Sequence, residues 1–85
     1  MKKFQYVIKD ELGIHARPAG MLARIAKKYE STVEIGTGDR NVSASQLLRL
    51  MSLGVKKGDE VSVVIEGVDE EAACAELKAF FEEHL

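Results

Sequence analysis

Apolar and polar residues alternate at the start of the chain. Phe4, Tyr6 and Ile8 interleave with Gln5, Val7 and Lys9, the period-two pattern of a strand with one face turned inward. Asp10-Glu11-Leu12-Gly13 is polar and ends in glycine, so a loop follows and delivers the chain to Ile14 and His15. The period then changes. Leu22, Ile25, Ala26 and Tyr29 recur at i, i+3, i+4 and i+7 and predict a helix over 16–28, with Arg24, Lys27 and Lys28 off its apolar stripe. Thr32-Val33-Glu34-Ile35 returns to period two. Gly36-Thr37-Gly38-Asp39 reads as a hairpin turn, and 40–44 as a third strand folded back on the second. A short helix is predicted over 46–53, with Ser43 and Ser45 as candidate caps. After a loop over 54–59, Val61, Val63 and Ile65 alternate in a fourth strand. Asp69 is placed to cap a third helix, with Glu70 and Glu71 in its first turn where the helix dipole favours carboxylates. Ala73, Leu77, Phe80, Phe81 and His84 follow helical spacing in that last segment, and His84, near the end, is expected to be a solvated surface residue on a frayed turn.

The second helix departs from this simple amphipathic scheme. On a helical projection Leu47, Leu48 and Met51 lie within about 100° of one another, while Leu50 and Leu53 form a second arc on nearly the opposite side. One arc can enter the core of so small a domain. The other is expected in solvent, where Leu and Met beside Arg49 would make a protein-docking patch. A helix wedged between layers and wholly buried is the competing expectation.

The order β-α-β-β-α-β-α contains one tight hairpin, which rules out an all-parallel sheet, and its strands alternate, which leaves one sheet face solvated. The expected fold is α+β: a four-stranded antiparallel sheet with helices packed on one side. Eighty-five residues suit one domain with one modest core, taken as 1–85. One cysteine, Cys74, excludes an internal disulfide and fits a reducing compartment, with the thiol buried on an apolar helix face. No signal-like leader opens the chain and no apolar run approaches the ~18 residues of a membrane span, so the cytoplasm is expected.

Charge adds a direction to this picture. The formal net charge of -2 argues against a dedicated nucleic-acid binder, but its distribution is uneven. Between 16 and 57 there are eight basic residues against three acidic ones, whereas 66–83 holds seven acidic residues and one basic. The electropositive part begins within Gly13-Ile14-His15-Ala16-Arg17-Pro18-Ala19, in which a histidine stands just ahead of a helix with proline in the opening turn. The first N–H groups of a helix lack internal partners, and with the positive end of the dipole they favour an anion. A phosphate carried on His15 would have those donors and Arg17 around it. The same spacing also describes a histidine that caps a helix beside a structural arginine, and spacing alone does not separate the two. Gly20, inside this helix, either leaves room beside the histidine or is a tolerated defect.

Other chemistries find no support. There is no Gly-rich phosphate loop, no His/Cys/Asp cluster with metal-ligand spacing, no paired carboxylates in an apolar setting and no basic groove with interleaved aromatics. No serine or cysteine stands next to His15 in sequence, although Ser52 could approach it in space. No metal or cofactor is expected, and an enzyme using His15 as general base would need a small-molecule cleft for which the chain has little room.

The stretch 13–19 resembles the active-site signature of the HPr family, the histidine-containing phosphocarriers of the bacterial phosphoenolpyruvate:sugar phosphotransferase system. Leu50-Met51-Ser52-Leu53-Gly54-Val55 and Glu66-Gly67-Val68-Asp69-Glu70 are similar to two further stretches of that family, and the resemblance extends over essentially the whole chain. It implies an open-faced β-sandwich with three helices on one face of the sheet. It further implies that His15 takes a phosphoryl group at Nδ1 from phosphorylated enzyme I and hands it to sugar-specific EIIA proteins or domains. Arg17 would assist, and the backbone at Ala16, Arg17 and Pro18 would surround the phosphate. Gly20, Leu47, Leu48, Arg49 and Met51 would dock the partners of a monomer that neither inserts into membranes nor binds nucleic acid. The alternative within the same family is a paralogue that acts chiefly as a regulatory binding module. One position departs from the pattern. Where many Gram-positive relatives open the second helix with a serine modified by HPr kinase, this chain has Gln46, with Ser45 one place earlier. Serine regulation is therefore in doubt, and Ser45 and Ser52 remain open as modified residues.

Overall fold

The computed structural model describes all residues, Met1–Leu85. Strand β1 (Lys2–Val7) leads through the loop 8–15 to helix α1 (Ala16–Lys28). Strands β2 (Thr32–Thr37) and β3 (Arg40–Ser43) form the hairpin, followed by α2 (Leu47–Ser52), β4 (Glu60–Glu66) and α3 (Glu70–His84). The sheet order is β1-β4-β2-β3 with every pairing antiparallel. Thus β4 lies between β1 and β2, and β2 between β3 and β4. The chain contains two interleaved split β-α-β units whose crossover helices are α1 and α2.

The alternation read from the sequence fixes which face is covered. Register places Phe4 opposite Val63, Val63 opposite Ile35, and Ile35 opposite Val42, one apolar row across all four strands. The two rows that flank it carry Tyr6 opposite Val61 on one side and Val33 opposite Ile65 on the other. These residues meet Leu22, Ala26, Leu50, Leu77 and Phe81 from the helices in a single core. Phe81 is its centre, with Phe4, Tyr6 and Phe80 edge-on at ring-centroid distances of 5.7, 5.4 and 6.1 Å, the preferred geometry of aromatic pairs. The opposite sheet face carries Lys3, Gln5, Thr32, Glu34 and Ser62 and is left open. Cys74 is a free, buried thiol. No helix is long and apolar enough to cross a membrane.

The capping residues differ from expectation. Asp69 stands at the N-cap of α3 but its carboxylate does not cap that helix. It accepts instead from the Glu30 and Ser31 amides, both at 2.9 Å, and from the Ser31 hydroxyl, and so fastens the α1–β2 turn to the start of α3. Glu70 Oε1 serves the end of the preceding turn by accepting from the Gly67 amide at 3.1 Å. Ser43 and Ser45 do not cap α2 either, because their hydroxyls bond each other at 2.9 Å. The N-cap of α2 is Gln46, whose side chain accepts from Arg49 Nε at 3.0 Å. At its other end the Ser52 carbonyl accepts from the Arg40 guanidinium at 2.8 Å, and Gly54 turns the chain away with φ 66°.

Candidate functional site

Two segments, the loop between α2 and β4 and the chain end at Leu85, hold the loop that presents His15. The Ile8 amide donates to the Asp59 carbonyl (2.9 Å), the Ile8 carbonyl accepts from the Gly58 amide (2.8 Å), and the Ile14 amide donates to the Val55 carbonyl (3.3 Å). From the other side the Leu85 carbonyl accepts from the Lys9 and Asp10 amides at 2.6 and 2.8 Å. Gly13 allows the closest of these approaches. It has φ 67°, and a Cβ there would fall 2.1 Å from the Val55 carbonyl oxygen, so only glycine fits both the conformation and the space. Ile14 and Pro18 are buried on either side of the histidine.

His15 occupies the N-cap of α1 with extended backbone (φ -101°, ψ -176°), and its side chain makes no capping hydrogen bond. Its carbonyl accepts the first intrahelical bond, from Ala19 N–H at 3.0 Å. The imidazole is therefore spared the structural role that the spacing also allowed. It is 37 % exposed, and Nε2 faces the Asp10 carboxylate at 3.6 Å. Ahead of Ala19 the free donors of the first turn are the Ala16 and Arg17 amides, because Pro18 has no N–H. The first turn of α1 contains no acidic side chain, while Lys27 and Lys28 close the helix. Helix α3, by contrast, fills its own first turn with Glu70 and Glu71. The positive end of α1 is thus not offset by a carboxylate of its own first turn, and the exposed Arg17 lies beside it.

His15, Arg17, Pro18, Met21 and His84 line one shallow concavity. His84 is exposed, as expected, but its turn is not frayed. Its ring stacks on Phe80 with centroids 4.9 Å apart, and α3 ends with the Leu85 amide bonded to the Phe81 carbonyl at 2.9 Å and the Leu85 side chain buried. No periodicity argument reveals that the end of α3 returns to the start of α1. A packing signal did exist in the apolar residue that follows His84.

The two arcs of α2 separate as expected. Leu50 and Leu53 are buried, whereas Leu47, Leu48 and Met51 are 39, 81 and 41 % exposed. Helix α2 packs against α1, and Leu47 and Leu48 flank Lys27, Ser45 and Gln46 in a concavity of their own, apart from that at His15. Arg49 is exposed on the same helix. Gly20 is half-buried with open space where a side chain would begin, so nothing in the chain presses on it. Ser52 donates its hydroxyl to the Arg49 carbonyl at 2.7 Å.

Comparison with known proteins agrees with this geometry. Residues 2–83 match the family model described as the PTS HPr component phosphorylation site. The phosphocarrier protein HPr of Mycoplasma pneumoniae is 41% identical over 85 residues, covering 99% of this chain and 97% of the relative. An HPr crystal structure from Thermoanaerobacter tengcongensis superposes with a TM-score of 0.91 at 36% identity, covering 96% of this chain and 92% of that one. Crh of Bacillus subtilis, described as a catabolite repression protein with a swapped dimer, superposes with a TM-score of 0.78 at 30% identity, covering 100% and 98% of the two chains. The chain belongs to the HPr family of phosphocarriers of the phosphotransferase system.

Proposed function

We propose that His15 takes a phosphoryl group at Nδ1 from phosphorylated enzyme I and passes it to sugar-specific EIIA proteins or domains in the cytoplasm. The observation that carries this reading is a half-exposed imidazole at a helix N-terminus that its own side chain does not cap, next to two free amides and an exposed arginine. Histidine suits a carrier because neutral imidazole is available as a nucleophile at cellular pH. The phosphoryl group then lies against the Ala16 and Arg17 amides, with Arg17 neutralising its charge, and the weak P–N bond lets it leave again. A carrier needs no pocket for sugar or nucleotide. It needs two successive partners on one surface. Helix α1 is about 20 Å long, and one side of a typical interface covers about 800 Å². A single footprint therefore spans from His15 across Gly20 to Leu47, Leu48, Arg49 and Met51. We take the working unit to be the single domain 1–85, acting as a monomer. Gln46, already engaged with Arg49, offers no hydroxyl to a kinase.

The test is intact mass after incubation with phosphoenolpyruvate and enzyme I. One phosphoryl group, lost on acid treatment, is expected on the wild-type chain and none on His15→Ala. Equal labelling of the two would overturn the assignment. Onward transfer to an EIIA protein distinguishes a sugar-uptake carrier from a paralogue that signals through its phosphorylation state.

A further inference from the structure

Asp10 is fixed more firmly than an exposed loop aspartate needs to be. Its amide donates to the Leu85 carbonyl (2.8 Å), its carbonyl accepts from the Gly13 amide (3.0 Å), and its Oδ2 accepts from the Leu12 amide (3.0 Å). These bonds tie the residue to the end of the chain after α3 and to the turn before His15, and hold its side chain against the Leu12 amide. The same Oδ2 lies 3.6 Å from His15 Nε2, with the two side chains 33 and 37 % exposed. That separation is long for a hydrogen bond, but pairs of this kind in an unliganded site commonly tighten when the reacting group arrives. The other groups facing His15 are Arg17 from α1 and His84 from α3, with Glu83 3.6 Å from His84 Nε2. Asp10 is the carboxylate paired with the His15 ring.

We propose that Asp10 is a positioning residue that keeps the ring proton of His15 on Nε2 throughout the carrier cycle. This rests on the reading of His15 as a phosphoryl acceptor at Nδ1. In the neutral ring an Nε2–H directed at Asp10 leaves the lone pair on Nδ1, the nucleophilic atom. When Nδ1 forms its bond to phosphorus, the bond from phosphorus to the donor breaks and the donor keeps that electron pair. The loaded ring, still protonated on Nε2, carries positive charge against the carboxylate. On transfer to the next partner the P–N electron pair returns to Nδ1, and the ring leaves neutral with its proton where it began. No proton has to be taken up or released at His15 in either step. A carboxylate on the far side of the ring from the phosphoryl group supports that state without repelling the phosphate directly.

The experiment compares the full-length chain with Asp10→Asn, which retains a side-chain oxygen to accept from the Leu12 amide. Nitrogen-15 NMR of unphosphorylated His15 reads the tautomer, and rapid-quench labelling with phosphorylated enzyme I reads the transfer rate. The wild-type ring is expected to carry its proton on Nε2. The variant should show a measurable Nδ1–H population and accept the phosphoryl group roughly tenfold more slowly, with unchanged circular dichroism. Unchanged tautomer and rate in Asp10→Asn would overturn the proposal. So would a wild-type ring protonated on Nδ1, a result that needs no variant and stands even if Asp10→Asn fails to fold. The tautomer is measured without phosphotransfer. A wild-type chain that takes no phosphoryl group but holds Nε2–H through Asp10 would count against the carrier reading alone.

Discussion

At the scale of single residues, the site divides into what lies next to His15 in sequence and what folding brings there. The histidine, the arginine two places on and the proline in the first turn form a local pattern that a helix start explains, and it was legible. Asp10 and His84 were not. Asp10 reads as an ordinary loop carboxylate, and its meeting with the ring depends on a loop held by Asp59, Val55 and Leu85. His84 is separated from His15 by most of the chain and shares its concavity where Leu85 is buried and its carbonyl holds the Lys9 and Asp10 amides. Gly13 looked like one more loop glycine, yet it combines a left-handed backbone with a contact that no Cβ could make. Gly13→Ala is therefore expected to cost at least about 1–2 kcal/mol from the backbone conformation alone. The clash with Val55 is with main chain, which cannot rotate away, so the loop must shift and carry His15 with it. Chemical denaturation should show the lower stability. Phosphoryl uptake per folded molecule should fall as well, and full uptake in a destabilised variant would show that the loop tolerates the shift.

At the scale of elements, helical projection was informative where burial decides the outcome and silent where hydrogen bonds do. The two arcs of α2 were separable from sequence because one short helix against a small core cannot bury both. Its caps were not, since Ser43, Ser45 and Asp69 are all good capping residues whose side chains found other partners. Asp69 was diverted by the Glu30–Ser31 turn, 38 and 39 positions earlier in the chain. The arcs make opposite predictions. Leu50→Ala removes a fully buried side chain and should cost about 2–5 kcal/mol of stability, seen as an earlier denaturant midpoint. Leu48→Glu alters a side chain that is 81 % exposed and should move that midpoint by less than about 0.5 kcal/mol. In the docking role proposed for α2, however, a charge at Leu48 should weaken transfer from enzyme I, commonly by about 2 kcal/mol or more where the position is desolvated on binding. Unfolding by Leu48→Glu would mean that the arc belongs to the core. A folded variant with normal transfer would remove Leu48 from the docking surface.

At the scale of the whole molecule, two long-range polar ties close the side of the domain away from the loop that presents His15, and their ionisation contributes to the pH dependence of stability. The hydroxyl of Ser31 and the amides of Glu30 and Ser31 hold the Asp69 carboxyl below its ordinary value. At the end of α1, Lys28 Nζ lies 2.7 Å from Glu76 of α3 and the Tyr29 hydroxyl donates to the same carboxylate. Lys28 first and Tyr29 second lower the Glu76 carboxyl, and Glu76 in turn raises both Lys28 and Tyr29. A carboxylate lowered by folding stabilises the native state above the unfolded value of about 4 and loses that contribution as pH falls through the folded value. A lysine or tyrosine raised by folding contributes below its unfolded value of about 10 and loses the contribution as pH rises through the folded one. The melting temperature is therefore expected to be level between about pH 5 and 9, and to decline below about pH 4 and above about pH 10. The two ties are separable because only one titrates at both ends. Asp69→Asn should make the acid limb shallower and leave the alkaline limb as it was. Glu76→Gln should make both limbs shallower, since the same carboxylate is the partner that Lys28 and Tyr29 lose. Thermal denaturation of the three proteins from pH 2 to 11 decides it. An alkaline limb identical in Glu76→Gln and wild type would mean that the tie between α1 and α3 contributes nothing to stability.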